Sequence, residues 1–254
     1  MLPCSYFSEK LFQILKSTVR RHKCSCIALS GGIDTTTVAL AARSAGLTLN
    51  GFLAIYRGGL AKDVPYAEYV ARTLGIDLTY VFIDAEEAHE VAQRIVECIG
   101  RDKLNSHGDG GCIEIRNDIA FYRIMVEARN RACNCVFTGS GGDELFSGYS
   151  FMVVQSGEKI RDMIERFATR GRYPELEIAE CVGVKAVSPY LDRDAVALAL
   201  EIPVECLRTS LMMGKEVLRE ILATHSLQLV ALREKTPTES GAGTKTFCRS
   251  VYDE

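Results

Sequence analysis

The sequence predicts an α/β fold, a doubly wound parallel sheet of about five strands with a C-terminal helical lobe. Up to Tyr149, short apolar segments alternate with segments of helical periodicity. The apolar segments lack the polar alternation of a half-exposed strand, so helices are expected to cover both faces of the sheet. Beyond Tyr149 only helical patterns continue. We therefore predict a core over residues 1–150 and a lobe over residues 151–254 that packs with it as one unit.

The elements follow from these patterns in chain order. Apolar residues of the first helix recur with a helical period, and glycines end two of the later helices. The predicted strands are residues 24–29, 49–56, 78–83 and 134–138. The predicted helices are residues 8–21, 35–45, 65–74, 85–99, 113–132, 159–169, 174–181, 193–200, 215–224 and 227–232. Residues 105–112 and the tail from residue 233 are predicted to be loops.

The composition narrows the function classes. The 254 residues carry a net charge of −3, so a broad basic surface for nucleic acid is not expected. No apolar run reaches the roughly 18–20 residues that a membrane span requires. Glu9, Lys10 and Lys16 interrupt what would be the apolar region of a signal peptide. We therefore predict a cytoplasmic protein without a membrane partner.

Ten cysteines are many for this length. In a chain of this size without an export signal, we interpret them as free thiols that pack as small hydrophobic side chains. Two spaced pairs, Cys24/Cys26 and Cys133/Cys135, also allow a metal or redox site, because residues i and i+2 share a face of a strand. Each pair lies roughly 13 Å before the glycine turn that follows it, which favours packing.

A glycine turn joins the first strand to the next helix, in the stretch Ser30 to Thr36. Gly31 and Gly32 let the backbone approach an anion without Cβ clashes. The free N–H groups and positive dipole end of the following helix attract phosphate. The plainer alternative is a tight turn with a threonine cap. The expected hydroxyl donors are Ser30, Thr35 and Thr36.

The stretch Val136 to Tyr149, VFTGSGGDELFSGY, has the same design. An apolar strand ends, and the turn Gly139 to Gly142 precedes Asp143 and Glu144. The first turn also carries an acid, Asp34. The two turns are therefore candidates for two halves of one site.

The string Ser-Gly-Gly-Ile-Asp-Thr-Thr resembles the signature of the PP-loop ATP pyrophosphatases, which cleave ATP between the α and β phosphates. Within that group, GSGGDELFSGY resembles an element of the asparagine synthetase synthetase domain. Three later segments agree in order: GVKAVSPYLD, KEVLRE and REKTPTESGAG. The resemblance spans about residues 24–243 and implies an adenine nucleotide α-hydrolase-like fold in which the two glycine turns follow neighbouring strands.

The resemblance implies ATP as the nucleotide and Mg²⁺ as the metal, shared by Asp34 and Asp143. It implies that Lys215 neutralises pyrophosphate and that Arg116, Asp143 and Glu144 act in the catalytic site. The alternatives are a cap or turn role for the aspartates, a surface position for Lys215 and a local ion pair for Arg116. The ATP-binding residues that it implies are Leu29, Ser30, Gly31, Gly32, Asp34, Thr35, Thr36, Ile55, Gly139, Ser140 and Gly141.

The sequence departs from the family pattern at two positions. Ser140 stands where asparagine synthetases have a glutamate and β-lactam synthetases a tyrosine, and a serine hydroxyl is not an effective base near neutral pH. Lys185 replaces the second acid, which argues against ring closure. About 23 residues precede the first strand, too few for the glutaminase domain that asparagine synthetases usually carry.

These observations predict an AMP-forming amide ligase that adenylates a carboxylate, by default that of aspartate, for attack by ammonia or an amine. A separate glutaminase subunit and a second copy of the chain are further expected partners. Two alternatives stay open: a PP-loop enzyme that modifies tRNA, and a non-catalytic ATP-binding subunit. The first would need a basic groove and a Cys-x-x-Cys motif, and the second would bind ATP without releasing pyrophosphate.

Overall fold

The fold is known from a computed structural model, which describes residues 2–105, 108–209, 211 and 213–252. Its centre is a five-stranded parallel sheet in the order β3-β2-β1-β4-β5. The strand order reverses between β1 and β4, as in doubly wound folds. The predicted fold class is therefore confirmed. The strands are β1 (Cys26–Ala28), β2 (Asn50–Tyr56), β3 (Asp77–Ile83), β4 (Val136–Phe137) and β5 (Ala186–Val187).

Helices surround the sheet, as the alternating patterns predict. They are α1 (Cys4–His22), α2 (Ile33–Ser44), α3 (Val64–Leu74), α4 (Ala85–Ile99), α5 (Arg101–Leu104), α6 (Cys112–Asn130), α7 (Gly142–Leu145), α8 (Ser150–Val153), α9 (Gly157–Arg170), α10 (Pro174–Val182), α11 (Arg193–Glu201), α12 (Glu216–Thr224), α13 (Gln228–Ala231) and α14 (Thr238–Ala242).

Successive residues of β1 enter different cores, because side chains alternate across a strand. Ile27 belongs to a core formed with α1, α2 and α12, whereas Ala28 belongs to a core formed with α4, α6 and α10. Both faces of β1 are therefore covered, as its uninterrupted apolar sequence predicts. β3 differs because it is an edge strand: Tyr80 and Phe82 are 39% and 46% exposed.

Most predicted elements lie within a few residues of the observed ones. The fifth strand was expected in number but not in position, because β5 has only two residues. The prediction that the tail is entirely loop was wrong, since α14 forms within it. Within the predicted loop 105–112, residues 106 and 107 lie outside the described residues. The division of the chain at residue 150 stays a prediction.

The interpretation of the cysteines was wrong. All ten cysteines lie in the described part of the chain, and each forms a disulfide. Adjacent pairing of β1 with β4 brings the two spaced pairs together, so they bond across the strands and not within each pair. No cluster of metal-ligating side chains occurs among the described residues. The disulfides are Cys4–Cys206, Cys24–Cys135, Cys26–Cys133, Cys98–Cys181 and Cys112–Cys248.

We expect the double variant Cys98→Ser/Cys181→Ser to be less stable by about 2 kcal/mol, because this disulfide closes a long loop in the unfolded chain. The sequence separation of the two cysteines is 83 residues. The melting temperature should fall by roughly 4–8 °C, as measured by circular dichroism. As a control, thiol titration of the denatured, unreduced wild type should find no free thiol. Reactive thiols in that sample would contradict the observed pairing.

Within the described part of the chain, none of the helices has the length and apolar character that a membrane span requires.

Candidate active site

The first glycine turn leaves β1 and enters α2. Gly31 has φ +68°, and a Cβ there would collide with the backbone of Tyr66 and Ala67 on α3, so only glycine fits. Gly32 caps α2 without a side-chain hydrogen bond, which leaves the first amides of this helix for another acceptor. The Ser30 and Thr35 hydroxyls lie beside them, 3.1 Å apart. This end of α2 therefore has the geometry of a phosphate site.

The second glycine turn follows β4 and packs against the first. A Cβ on Gly139 would lie 2.9 Å from the Asp34 Cβ, and one on Gly142 would overlap the Asp34 carboxyl group. The bare backbone of this turn therefore makes room for the acid of the first turn. Because β1 and β4 are neighbours, the two turns meet at the carboxyl edge of the sheet.

Two lysines and two aspartates converge where the turns meet. The Lys215 Nζ lies 2.5 Å from the Asp34 Oδ2 and 2.7 Å from the Asp143 Oδ1. The Lys235 Nζ lies 2.9 Å from the same Asp143 oxygen. Lys215 is the N-cap of α12, with φ +66°, and is only 6% exposed. It is therefore not the surface lysine that the sequence left as an alternative.

Burial and charge set the protonation of this cluster. Burial raises the pKa of Asp34, an effect that Lys215 opposes and Asp143 reinforces. Burial acts in the same direction on Asp143, but Lys215 and Lys235 outweigh it and lower the pKa of that carboxyl. Burial disfavours the charged form of Lys215, but Asp143 and Asp34 outweigh this and raise its pKa. Lys215 therefore remains a cation at neutral pH.

The two aspartates also have the chemistry of a Mg²⁺ site. The Asp34 Oδ1 is buried and accepts no hydrogen bond. Mg²⁺ prefers hard oxygen ligands and is often held by one or two carboxylates together with phosphate oxygens and water. Asp34 and Asp143 therefore fit this ion, and the remaining ligands would come from the nucleotide and solvent.

A cavity of about 950 Å³ opens from this cluster. This volume lies at the upper end of the range for small-molecule sites, which is about 300–1,000 Å³. The structure brings most of the predicted site residues into its lining. These are Leu29, Ser30, Gly32, Asp34, Thr35, Gly139, Ser140, Gly141, Asp143, Glu144 and Lys215.

Four predicted residues lie outside this lining. Gly31 packs beneath α3, and Thr36 is fully buried in α2. Ile55 is half-buried on β2 and is not part of the lining, although Leu53 and Ala54 are. Arg116 has a buried Nε without a hydrogen-bond partner, and its carbonyl accepts a bond from the Thr244 hydroxyl. Their roles toward ATP stay predictions.

Ser140 and Lys185, the two departures from the family pattern, lie at different distances from the cavity. Ser140 lines the cavity, and its hydroxyl lies 2.9 Å from that of Thr138. Lys185 is exposed outside the lining, just before β5 and thus at the end of the sheet opposite the glycine turns. Only the serine therefore bears on the chemistry of the site.

Sequence reasoning missed the charged residues that the tail contributes. Besides Lys235, Arg233 pairs with the buried Asp63 at 2.5 Å, and its guanidinium lies 3.9 Å from the centre of the Tyr66 ring. Burial raises the pKa of Asp63 to about 6, although Arg233 opposes the shift. A basic residue in the segment REKTP was the available signal, but only the fold places the tail beside Ser30.

Comparison with known proteins identifies the family. The asparagine synthase family model matches residues 8–173. The chain belongs to the asparagine synthase family. A putative glutamine-hydrolysing asparagine synthetase of Methanocaldococcus jannaschii is 27% identical over an alignment of 187 residues, which covers 70% of this chain and 32% of that protein. The chain thus spans about a third of this relative's length.

Solved structures give a likeness of fold. NMN synthetase from Francisella tularensis superposes with a TM-score of 0.53 at 14% identity, covering 96% of this chain and 80% of that one. A U34-tRNA thiolase from Methanococcus maripaludis gives a TM-score of only 0.39 at 14% identity, covering 89% and 77%. The first likeness supports the doubly wound fold, and the second is too low to support a conclusion.

Proposed function

We propose that this member of the asparagine synthase family is an ATP-dependent, AMP- and pyrophosphate-forming amide ligase. The observation that carries the proposal is the cluster of Lys215, Lys235, Asp34 and Asp143 between the two glycine turns. A buried lysine, Lys215, and a second lysine on the same carboxylate suit a reaction in which a polyphosphate leaves. Aspartate remains the default carboxylate, and ammonia or an amine the nitrogen donor.

In this proposal, the amides of α2 and the hydroxyls of Ser30 and Thr35 hold the phosphates of ATP. Mg²⁺ held by Asp34 and Asp143 would offset the charge of those phosphates. A substrate carboxylate oxygen attacks the α-phosphorus, and pyrophosphate departs. Lys215 moves from the two carboxylates toward the departing oxygens, because their negative charge grows in the transition state. The nitrogen donor then displaces AMP from the acyl-adenylate.

The tRNA-modifying alternative has less support. A sulfur-transfer role would need a reactive thiol, but every cysteine is in a disulfide. A measurement of pyrophosphate release distinguishes the non-catalytic ATP-binding subunit from the ligase. A homo-oligomer and a separate glutaminase subunit remain predictions of this proposal. A cytoplasmic location also remains a prediction, but five disulfides are unusual in a reducing compartment.

The decisive experiment measures pyrophosphate release from ATP by the purified chain, screened over amino acids with ammonium or amines present. We expect one carboxylate to give pyrophosphate and AMP in equal amounts, together with an amide product. ATP binding without pyrophosphate release across the screen would favour the non-catalytic subunit.

The same assay is repeated with glutamine as the nitrogen source. The chain offers no free thiol as the nucleophile of a glutaminase. Glutamine in place of ammonium should therefore yield neither glutamate nor amide. Glutamate formation by the purified chain alone would contradict this expectation.

A further inference from the structure

One end of the cavity, beyond the phosphate turns, is lined by acids and aromatic rings. We call it the acidic chamber. Its carboxylates are Asp118 on α6, Glu144 on α7 and Glu175 on α10. Its rings are Tyr149, Phe151, Phe167 and Tyr173.

The carboxylates of the acidic chamber have few positively charged partners. Within the described residues, none of the three forms an ion pair with lysine or arginine. Asp118 is 3% exposed, and its Oδ2 is buried without a hydrogen-bond partner. Glu144 accepts a hydrogen bond from the Tyr149 hydroxyl, and the Ser140 side chain lies beside Glu175, where it opposes the rise in the pKa of that carboxyl caused by burial. Both hydroxyls are neutral, so neither supplies a positive charge to balance these acids.

The arginine in the lining, Arg172, compensates the charge of these acids only in part. The Arg172 Nε lies 3.1 Å from Glu177, and its Nη1 donates to the Lys103 carbonyl at 2.8 Å. Glu177 also pairs with Lys103, so Arg172 is not fully matched there. Burial, which raises the pKa of Asp118 and Glu175, outweighs the opposing charge of Arg172, whose Nη2 is buried without a partner. Burial raises the pKa of Asp118, and the charge of Glu175 adds to this effect. A cation placed among the carboxylates would relieve this cost.

The rings form a wall that suits a cation with an apolar body. Tyr149 stacks on Phe151, with ring centroids 5.2 Å apart and planes at 13°. Phe167 lies 6.1 Å from Tyr149. Phe151 is 50% exposed in the apo chain, which leaves apolar surface for a ligand to cover. The Lys235 Nζ already lies 3.8 Å from the Tyr149 ring centre, so this wall accommodates positive charge.

We propose that the acidic chamber binds the nitrogen donor as an organic primary ammonium ion, held by Asp118 and Glu175 against the aromatic wall. The inference rests on the proposed ligase function and names the class of its second substrate. A bare ammonium ion would leave the rings and much of the cavity uncovered. Free aspartate carries net negative charge, which the chamber repels.

The chemistry balances with Glu175 as the proton acceptor. The ammonium gives one proton to Glu175, and the neutral nitrogen attacks the carbonyl carbon of the acyl-adenylate. The C–N bond forms, the bond from that carbon to the phosphate oxygen breaks, and AMP leaves with the electron pair. The second proton of the nitrogen passes to water, and Glu175 then releases its own. Glu175 thus lies beside Ser140, and Ser140 occupies the position at which the family has its acid.

Benzylamine and benzyl alcohol are the probes, because they share a ring and differ in charge. Calorimetric titration of the whole chain should show benzylamine binding at least tenfold more tightly than the alcohol. Glu175→Gln should weaken benzylamine binding by roughly ten- to a hundredfold, the weight of one hydrogen bond to a charged group. Asp118→Asn should act in the same direction. Glu180→Gln, an exposed change on the same helix, should have no effect.

Three results would overturn the inference. They are equal affinity for amine and alcohol, unchanged benzylamine binding in both Glu175→Gln and Asp118→Asn, and phenylalanine binding at least as tightly as benzylamine. The last would mean that the chamber, with the Arg172 Nη2, holds an amino acid. Pyrophosphate release is measured on the same preparations. If the chain binds benzylamine more tightly than benzyl alcohol but releases no pyrophosphate, the proposed ligase function is refuted and the amine site is not. If the chain releases pyrophosphate but does not distinguish the amine from the alcohol, the amine site is refuted and the ligase function is not.

Discussion

Lys215→Ala should lower kcat for pyrophosphate release by roughly 10²–10³-fold, while the affinity for ATP changes little. The lysine meets charge that grows on the departing pyrophosphate, so it stabilises the transition state more than bound ATP. Steady-state kinetics would measure the loss in kcat, and a separate ATP-binding measurement would test whether the affinity is kept. Lys215→Arg should recover only part of the rate, because a planar guanidinium copies a compact ammonium poorly.

The matched control for this variant is Lys185→Ala, which removes an exposed lysine outside the cavity. It should leave the rate unchanged. The folded state of Lys215→Ala must be verified by its melting temperature, because Asp34 and Asp143 lose a buried partner. A folded Lys215→Ala variant with the wild-type rate would refute the catalytic role of this lysine.

Asp34→Asn and Asp143→Asn should each lower the rate of pyrophosphate release by at least ~10²-fold, which is the effect expected from the loss of one electrostatic contact in an active site. Each change removes a negative oxygen ligand for Mg²⁺ while keeping the shape of the side chain. The activity of both variants should also need a higher Mg²⁺ concentration, which a titration at fixed ATP would measure.

Asp77→Asn is the control for these variants, because Asp77 is exposed at the start of β3, away from the glycine turns. It should behave as the wild type. Full rates in both Asp34→Asn and Asp143→Asn, with an unchanged Mg²⁺ requirement, would rule out a shared metal site.

Local patterns were sufficient for most of the fold. Ile27 and Ala28 fill cores on opposite faces of β1, and the apolar sequence of that strand predicted burial on both faces. The glycine turns were also visible locally, because Gly31 and Gly142 each belong to a glycine-rich stretch that directly follows an apolar run. The pairing of Asp34 with Asp143 was expected from the family resemblance and not from spacing.

Contacts between distant segments could not be inferred in this way. The disulfide between Cys26 and Cys133 depends on β1 and β4 lying side by side, which no local periodicity encodes. The short strand β5 has too few residues to give a pattern.

The sequence by itself therefore determined the α/β class and the two glycine turns, because helix and strand periods and glycine-rich turns are local properties. The roles of Asp34, Asp143 and Lys215 were implied by the family resemblance and stay predictions. Only the tertiary structure decided that Lys235 joins Asp143, that Glu175 lies against Ser140 and that every thiol is paired. Those contacts join residues far apart in the chain, and their geometry is set by how helices pack on the sheet.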